Sequence, residues 1–354
     1  TIMHYTAADN NLTPYLVSDV NEMEVVGSTN NMNLVVQLDK GGSDCKRYYL
    51  EADSDMNKIN SPVLKDMGNT NMADPKVMTS FIKESMEKYP AEHYAFIIGD
   101  HGGGWHGAVE DSGSHGWMST PTIKKALDDA EKETGKKLDV LGFDCCMMAS
   151  TEVAYELKDN AKYMVGSQQN EGGNGWPYTP LLTKDKLGKL DRALGSRIDL
   201  PPDEFAKKMV TNAKTDQWSL PTLSAMDMSK MDDLAKASNS FAEQVLKTDT
   251  PNDVLKGLIR KTENFNGFKD QYHFAENIVK SDDVKDQGLK KAAKKMMASV
   301  KEAVIEEQHS YKHPNAHGLH VDTPTWGGVK KDYKELRWAK DTLWDEAMDK
   351  LNGK

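Results

Sequence analysis

Cysteine is scarce in this chain: three in 354 residues, Cys45, Cys145 and Cys146. An odd number with two adjacent members excludes a disulfide framework, because neighbours in sequence make a strained pair. A free thiol is then either small buried filler or a nucleophile, and its position must decide. Basic charge is also in deficit. The balance of 45 Lys+Arg against 55 Asp+Glu gives −10 with histidine neutral, which argues against non-specific binding to nucleic acid or an anionic membrane. No stretch approaches the roughly 20 apolar residues that span a bilayer. Internal repeats and low-complexity tracts are missing. The triplet Gly102-Gly103-Gly104 lacks both the Gly-x-Gly-x-x-Gly spacing and the Gly-Lys-Ser/Thr ending of phosphate loops. The chain begins at Thr1 without an initiator Met, which leaves room for a removed signal segment.

What is present is the composition of a folded soluble protein, 28% charged and 38% hydrophobic, long enough for one large or two modest domains. Short apolar runs at Ile2–Thr6, Leu34–Leu38, Tyr94–Gly99, Val140–Phe143 and Tyr163–Ser167 alternate with helical patterns at Asn10–Val26, Asp74–Tyr89, Pro121–Thr134 and Ser150–Lys158. Strands of about five residues separated by helices predict an α/β fold with a mostly parallel sheet covered on both faces. Asp74-Pro75 reads as an N-cap followed by proline at the first helical position. From Leu182 the texture changes: Lys184–Arg197 is charged and glycine-punctuated, and Leu200-Pro201-Pro202 is a break. Pro221–Met226 reads as one more strand. Helical spacing then dominates, as in Leu234–Leu246 and Gln287–Gln308. The expected division is a catalytic-looking domain over 1–226 and a mainly helical region over 227–354, with a strand near 317–321 returning to the sheet edge.

In an open parallel sheet, ligands bind beyond the carboxyl ends of the strands. Tyr94–Gly99 runs into Asp100-His101-Gly102-Gly103-Gly104-Trp105, and Val140–Phe143 runs into Asp144-Cys145-Cys146. If these strands are neighbours, one βαβ unit delivers a His and a Cys to the same edge, as a Cys/His nucleophilic pair requires. A helix expected over Met147–Leu157 would place Cys146 at its N-terminus, favouring a thiolate. The backbone N–H groups of Cys146 and Gly102 are then candidate oxyanion donors. Cys145 is the expected bystander, since adjacent side chains diverge. Separately, each signal has a bland reading, as a buried thiol or a turn-capping imidazole. Together, at the ends of consecutive strands, they favour catalysis.

The segment Phe143-Asp144-Cys145-Cys146-Met147-Met148, followed by Thr151-Glu152-Val153-Ala154-Tyr155-Glu156-Leu157, resembles the catalytic-cysteine segment of the clostripain family of cysteine endopeptidases. Asp100–Trp105 is similar to that family's histidine segment. Glu171-Gly172-Gly173-Asn174-Gly175-Trp176-Pro177-Tyr178 is similar to the segment that lines its specificity pocket, and Asp9-Asn10-Asn11-Leu12 resembles its opening strand and turn. The resemblance covers residues 1–180 well and the rest thinly, with His317–Val321 a weak match to a late strand. It implies a caspase-like fold and a secreted or surface-attached, including periplasmic, bacterial endopeptidase. It implies a dyad in which Cys146 attacks the scissile carbonyl and His101 protonates the leaving amine, with no third residue called for.

The resemblance further implies cleavage after Arg or Lys, for which Asp144, Asn174, Glu171 and Trp176 are the candidate substrate-binding residues. Asn174 departs from the aspartate that family members often carry, so the charge falls to Asp144. No Lys or Arg lies between His101 and Ile123, where relatives are often cut by themselves. An unprocessed or externally processed chain is therefore expected, with Lys124-Lys125 and Lys136-Lys137 as other basic sites. No cofactor is required by this chemistry and no metal site is expected. Calcium, needed by some relatives, would have Asp53-Ser54-Asp55 or Asp282-Asp283 to draw on. His309, His313 and His317 recur every four residues, but Pro314 interrupts the helix they would share as zinc ligands. The expected partners are peptide or protein substrates of a monomer. The rival readings are a catalytically silent relative that binds peptides and an unrelated α/β enzyme with a structural cysteine.

Overall fold

A computed structural model describes residues 1–182 and 200–354; the charged stretch Lys184–Arg197 lies outside the described residues. The strands marked by apolar runs become β1 (Ile2–Ala7), β2 (Leu34–Asp39), β5 (Ala95–Gly99), β8 (Leu138–Asp144) and β9 (Ala161–Gly166). The remaining strands are β3 (Cys45–Tyr49), β4 (Val63–Gly68), β6 (Ala108–Asp111), β7 (Gly116–Met118), β10 (Thr222–Asp227), β11 (Asn264–Phe265), β12 (Phe268–Asp270), β13 (Val304–His309) and β14 (His320–Val321). Among the described residues the main sheet has nine strands in the order β13-β10-β9-β8-β5-β1-β2-β3-β4. The five from β9 to β2 are parallel, and antiparallel pairs extend the sheet at both edges.

Two-residue alternation divides the parallel strands between two cores. Met3, Tyr5, Phe96, Ile98, Leu141 and Phe143 face one. Val36, Ile97, Val140 and Val165 face the other. The second core is closed by α1 (Thr13–Val26), α5 (Tyr178–Leu182) and α6 (Pro202–Ala213). The first is closed by α2 (Pro75–Lys88), α3 (Thr120–Thr134) and α4 (Thr151–Leu157). It continues without a break into α7 (Met231–Lys247), α8 (Asn252–Lys261), α9 (Gln271–Lys280), α10 (Gln287–Ala303), α11 (Arg337–Asp341) and α12 (Trp344–Leu351). Asp74 caps α2 by accepting from Lys76 N, with Pro75 at the first helical position as the sequence indicates. Gly135, at φ 66°, ends α3 in the left-handed region that a side chain would resist.

Three elements differ from the sequence reading. The antiparallel strands β3 and β4 carry little apolar signal; β4 is a partly exposed edge bearing Lys65 and Asp66, charges that discourage pairing with another chain. The helix expected to reach Gln308 stops at Ala303, where β-branched Val304 and Ile305 open β13. That strand, antiparallel to β10, is the one the second half returns to the main sheet. His320–Val321, expected at that edge, instead pairs with β12 in a separate three-stranded sheet.

Candidate active site

The β5 and β8 strands are parallel neighbours, with Gly99 opposite Asp144 and Asp100 N–H donating to Asp144 O at 3.2 Å. The chain after β5 and the chain after β8 therefore leave the sheet side by side. Gly102 packs directly on the Cys146 backbone: a Cβ placed there would stand 2.4 Å from Cys146 O and 3.1 Å from Cys146 N. A local bridge across Gly102 and Ala108 is closed by Gly103 N–H to Gly107 O and Val109 N–H to His101 O, bonds that do not use the Gly102 amide.

Of the three thiols, Cys45 and Cys145 are buried and Cys146 is partly exposed. Cys145 Sγ lies 3.4 Å from Ile98 O inside the core, the bystander position expected for it. Cys146 sits in a turn whose next residue, Met147, has φ 60°. This corrects the expected helix over Met147–Leu157. The α4 helix begins only at Thr151, because the chain first crosses from β8 through this turn to extended Ser150. The helix terminus therefore does not lie at Cys146, and burial pushes its thiol up rather than down. The thiol's hydrogen-bond partners are the main chain of Glu171, with N–H at 3.4 Å and the carbonyl at 3.7 Å. His101 Nε2 bonds Asn11 Oδ1 at 2.7 Å and not the thiol.

Beneath Cys146 lies a buried polar cluster. Asp144 Oδ2 accepts from Tyr178 O–H at 2.7 Å and Trp176 N–H at 3.3 Å. His4 Nε2 lies 2.6 Å from the same Tyr178 hydroxyl, and Thr6 Oγ1 lies 2.7 Å from His4 Nδ1. Since the hydroxyl donates to Asp144, His4 must donate to it through Nε2, and burial lowers His4 to about 3, so the ring is neutral. Glu171 accepts from Trp176 Nε1 at 3.2 Å, and its carboxyl bonds Asp144. Burial raises both acids. Asp144 is held back by bonds from Glu171, Tyr178 and Trp176, while the Asp144 charge drives Glu171 higher still.

The structure thus joins Asp144, Glu171, Trp176 and Cys146 with Gly102 alongside, but sets Asn174 apart. Exposed Asn174 lines a neighbouring cavity of about 500 Å³ with Tyr15, Asp19, Glu22 and Asp216. Asp19 is raised to about 10 by burial, then by Asp144 and Glu22. Sequence reasoning passed over Asn11, Tyr178 and Asp19. Tyr178 and Asn11 lay inside segments already singled out, whereas Asp19 carried no local signal.

Residues 4–350 match the clostripain family, peptidase C11. The chain belongs to that family. Clostripain of Hathewaya histolytica is 27% identical over 232 residues, 53% of this chain; the match spans 42% of that protein's length. A secreted C11 cysteine protease from Bacteroides thetaiotaomicron, solved with an irreversible peptide inhibitor, has TM-score 0.72 at 22% identity and covers 98% of this chain and 99% of its own. An inactive zymogen C11 protease from Parabacteroides distasonis has TM-score 0.68 at 21% identity, covering 96% and 97%. These two share the fold of this clostripain-family chain, including its mostly parallel central sheet and flanking helices.

Among the described residues no group of three or more His, Cys, Asp and Glu is arranged to hold a metal ion. At the acidic run, the Asp53 carboxylate accepts from Ser54 N–H, Asp55 N–H and Asn60 Nδ2. The tail histidines have separate partners, His309 on Glu307, His313 on Glu263, His317 on Asp270 and His320 on Met147 O. No described helix is long and apolar enough to cross a membrane.

Proposed function

We propose that the protein is a cysteine endopeptidase acting through Cys146 and His101 on peptide or protein substrates. The observation that carries this reading is the delivery of both residues, with Gly102 against the Cys146 backbone, to one end of adjacent parallel strands in a clostripain-family fold. In the proposed reaction His101 takes the thiol proton and Cys146 Sγ attacks the scissile carbonyl. The carbonyl oxygen becomes an oxyanion held by the N–H groups of Gly102 and Cys146. His101 then protonates the leaving amine, and water hydrolyses the thioester.

The P1 side chain is proposed to be Arg or Lys. The Asp144 carboxyl at the bottom of the site supports this, with Glu171 as the second carboxyl that Asn174 does not provide. A cationic P1 group beside the pair lets Glu171 release its proton, so two carboxylates face one cation. Location outside the cytoplasm is proposed by analogy with the relative described as secreted, and the chain is proposed to act without cutting itself after His101.

The test is labelling by a peptidyl acyloxymethyl ketone with P1 Lys. Stoichiometric modification lost in Cys146→Ser and kept in Cys145→Ser is expected. Equal labelling of both variants, or none of the wild type, refutes the assignment. A peptide-library profile preferring acidic or small P1 residues refutes the basic specificity.

A further inference from the structure

The hydrogen bond at His101 Nε2 adds a residue to the proposed dyad. Its partner, Asn11 Oδ1 at 2.7 Å, is an amide oxygen and can only accept. Nε2 therefore carries the proton, and Nδ1 is the basic nitrogen of the neutral ring.

The fold explains how Asn11 reaches this place. The β1 strand pairs with β5 in parallel, Thr6 opposite Gly99, so the residues after β1 lie beside those after β5. Two consecutive asparagines then take two consecutive targets. Asn10 Nδ2 donates to Asp100 Oδ1 at 2.7 Å, and Asn10 Oδ1 accepts from Leu12 N–H at 2.8 Å, which sets the turn. Asn11 is turned to His101. Asp100 is itself fixed by Glu110 N–H on its other oxygen. The loop bearing Asn11 is thus tied to the residue preceding His101 as well as to the ring.

We propose that Asn11 is a positioning residue: its carboxamide oxygen holds His101 in the Nε2–H tautomer, leaving Nδ1 to take the Cys146 proton and return it to the leaving amine. This rests on the reading that Cys146 and His101 perform the chemistry. When Nδ1 is protonated the ring becomes a cation and its Nε2–H a stronger donor, so the Asn11 bond tightens as the reaction proceeds. Without the acceptor the ring can populate the Nδ1–H tautomer, which has no lone pair on that nitrogen for the thiol.

Two substitutions separate the acceptor from the shape of the loop. Asn11→Leu keeps the branched shape and removes the acceptor; Asn11→Asp keeps both. Asn11 is exposed, so neither change disturbs the core. Hydrolysis of a fluorogenic P1-Arg peptide, or of casein, is measured together with ¹⁵N shifts of the His101 ring. Asn11→Leu is expected to lower kcat about 10- to 100-fold, part of what a positioned base contributes, with KM within about twofold, and to mix the tautomers. Asn11→Asp is expected to keep kcat within about fivefold and retain Nε2–H. Wild-type kcat in Asn11→Leu, or equal impairment of both variants with the tautomer unchanged, overturns the proposal. If wild-type protein neither cleaves peptide nor reacts at Cys146, the peptidase reading fails; the ring tautomer in Asn11→Leu then decides the positioning claim by itself.

Discussion

Glu152, six residues beyond the proposed nucleophile, is fully buried and ties α4 to the C-terminal region. Its carboxyl accepts from Ser150 Oγ at 2.6 Å, Asp322 N–H at 2.8 Å and Tyr333 O–H at 2.9 Å. Burial raises it from 4.5 to about 7, with further upward push from Asp322. Between those values the folded protein holds a proton that the unfolded chain has released. Stability from this group is therefore complete below about pH 4.5 and is lost as pH rises through about 7. A shift of that size is worth about 3 kcal/mol at 1.36 kcal/mol per pH unit. Glu152→Gln mimics the protonated acid. Its amide oxygen can accept from Asp322 N–H and Tyr333 O–H, and its NH₂ can donate to Ser150 Oγ. Urea denaturation of both proteins from pH 4 to 8 should give nearly equal stabilities at the acid end. The variant should gain as pH rises, to an advantage of about 3 kcal/mol above pH 7. A difference that does not change with pH, or a variant less stable than wild type at pH 8, would refute the argument that burial sets the charge state of this network.

Asp144→Asn removes the buried charge while leaving an acceptor for Tyr178; kcat/KM on P1-Arg peptides should fall by about 100-fold or more, and unchanged P1-Arg selectivity would count against the basic pocket. Gly102→Ala puts a methyl 2.4 Å from Cys146 O and 2.9 Å from Cys145 Cβ. The Cys146 backbone must move, so steady-state assays should find kcat lower by about 100-fold. His320→Leu strips Met147 O of its 2.9 Å donor and ends the stacking on Phe268. Chemical denaturation at pH 7 should register a loss of about 1–3 kcal/mol, with His320→Asn, which keeps a donor, losing less.

Much of this was legible locally because the signals are short-range. Short apolar runs gave the parallel strands, and Asp74-Pro75 marked a helix start through backbone preferences that need no partner. His101 and Cys146 could be paired from order alone, since a βαβ unit sends consecutive parallel strands to the same edge. Illegible were features set by distant chain. The β13 strand takes its place from β10, some 80 residues earlier by sequence number. Helical spacing before Val304 gave no warning of it. The start of α4 was misplaced because Met147–Ser150 is held by Gln169, Ser167 and His320 rather than by helical bonds.

By itself, the sequence determined the class of fold, the placing of a Cys and a His at strand ends and the resemblance to the clostripain family, since each is written in contiguous residues. Only the tertiary structure decided the electrostatics: that Cys146 gains nothing from a helix terminus, that burial raises both Asp144 and Glu171, with Glu171 pushed further by Asp144, and that Asn11 accepts a hydrogen bond at the His101 ring. Charge state and tautomer depend on burial and on a partner within hydrogen-bond reach. Here those partners come from residues 25 to 90 positions away in the chain.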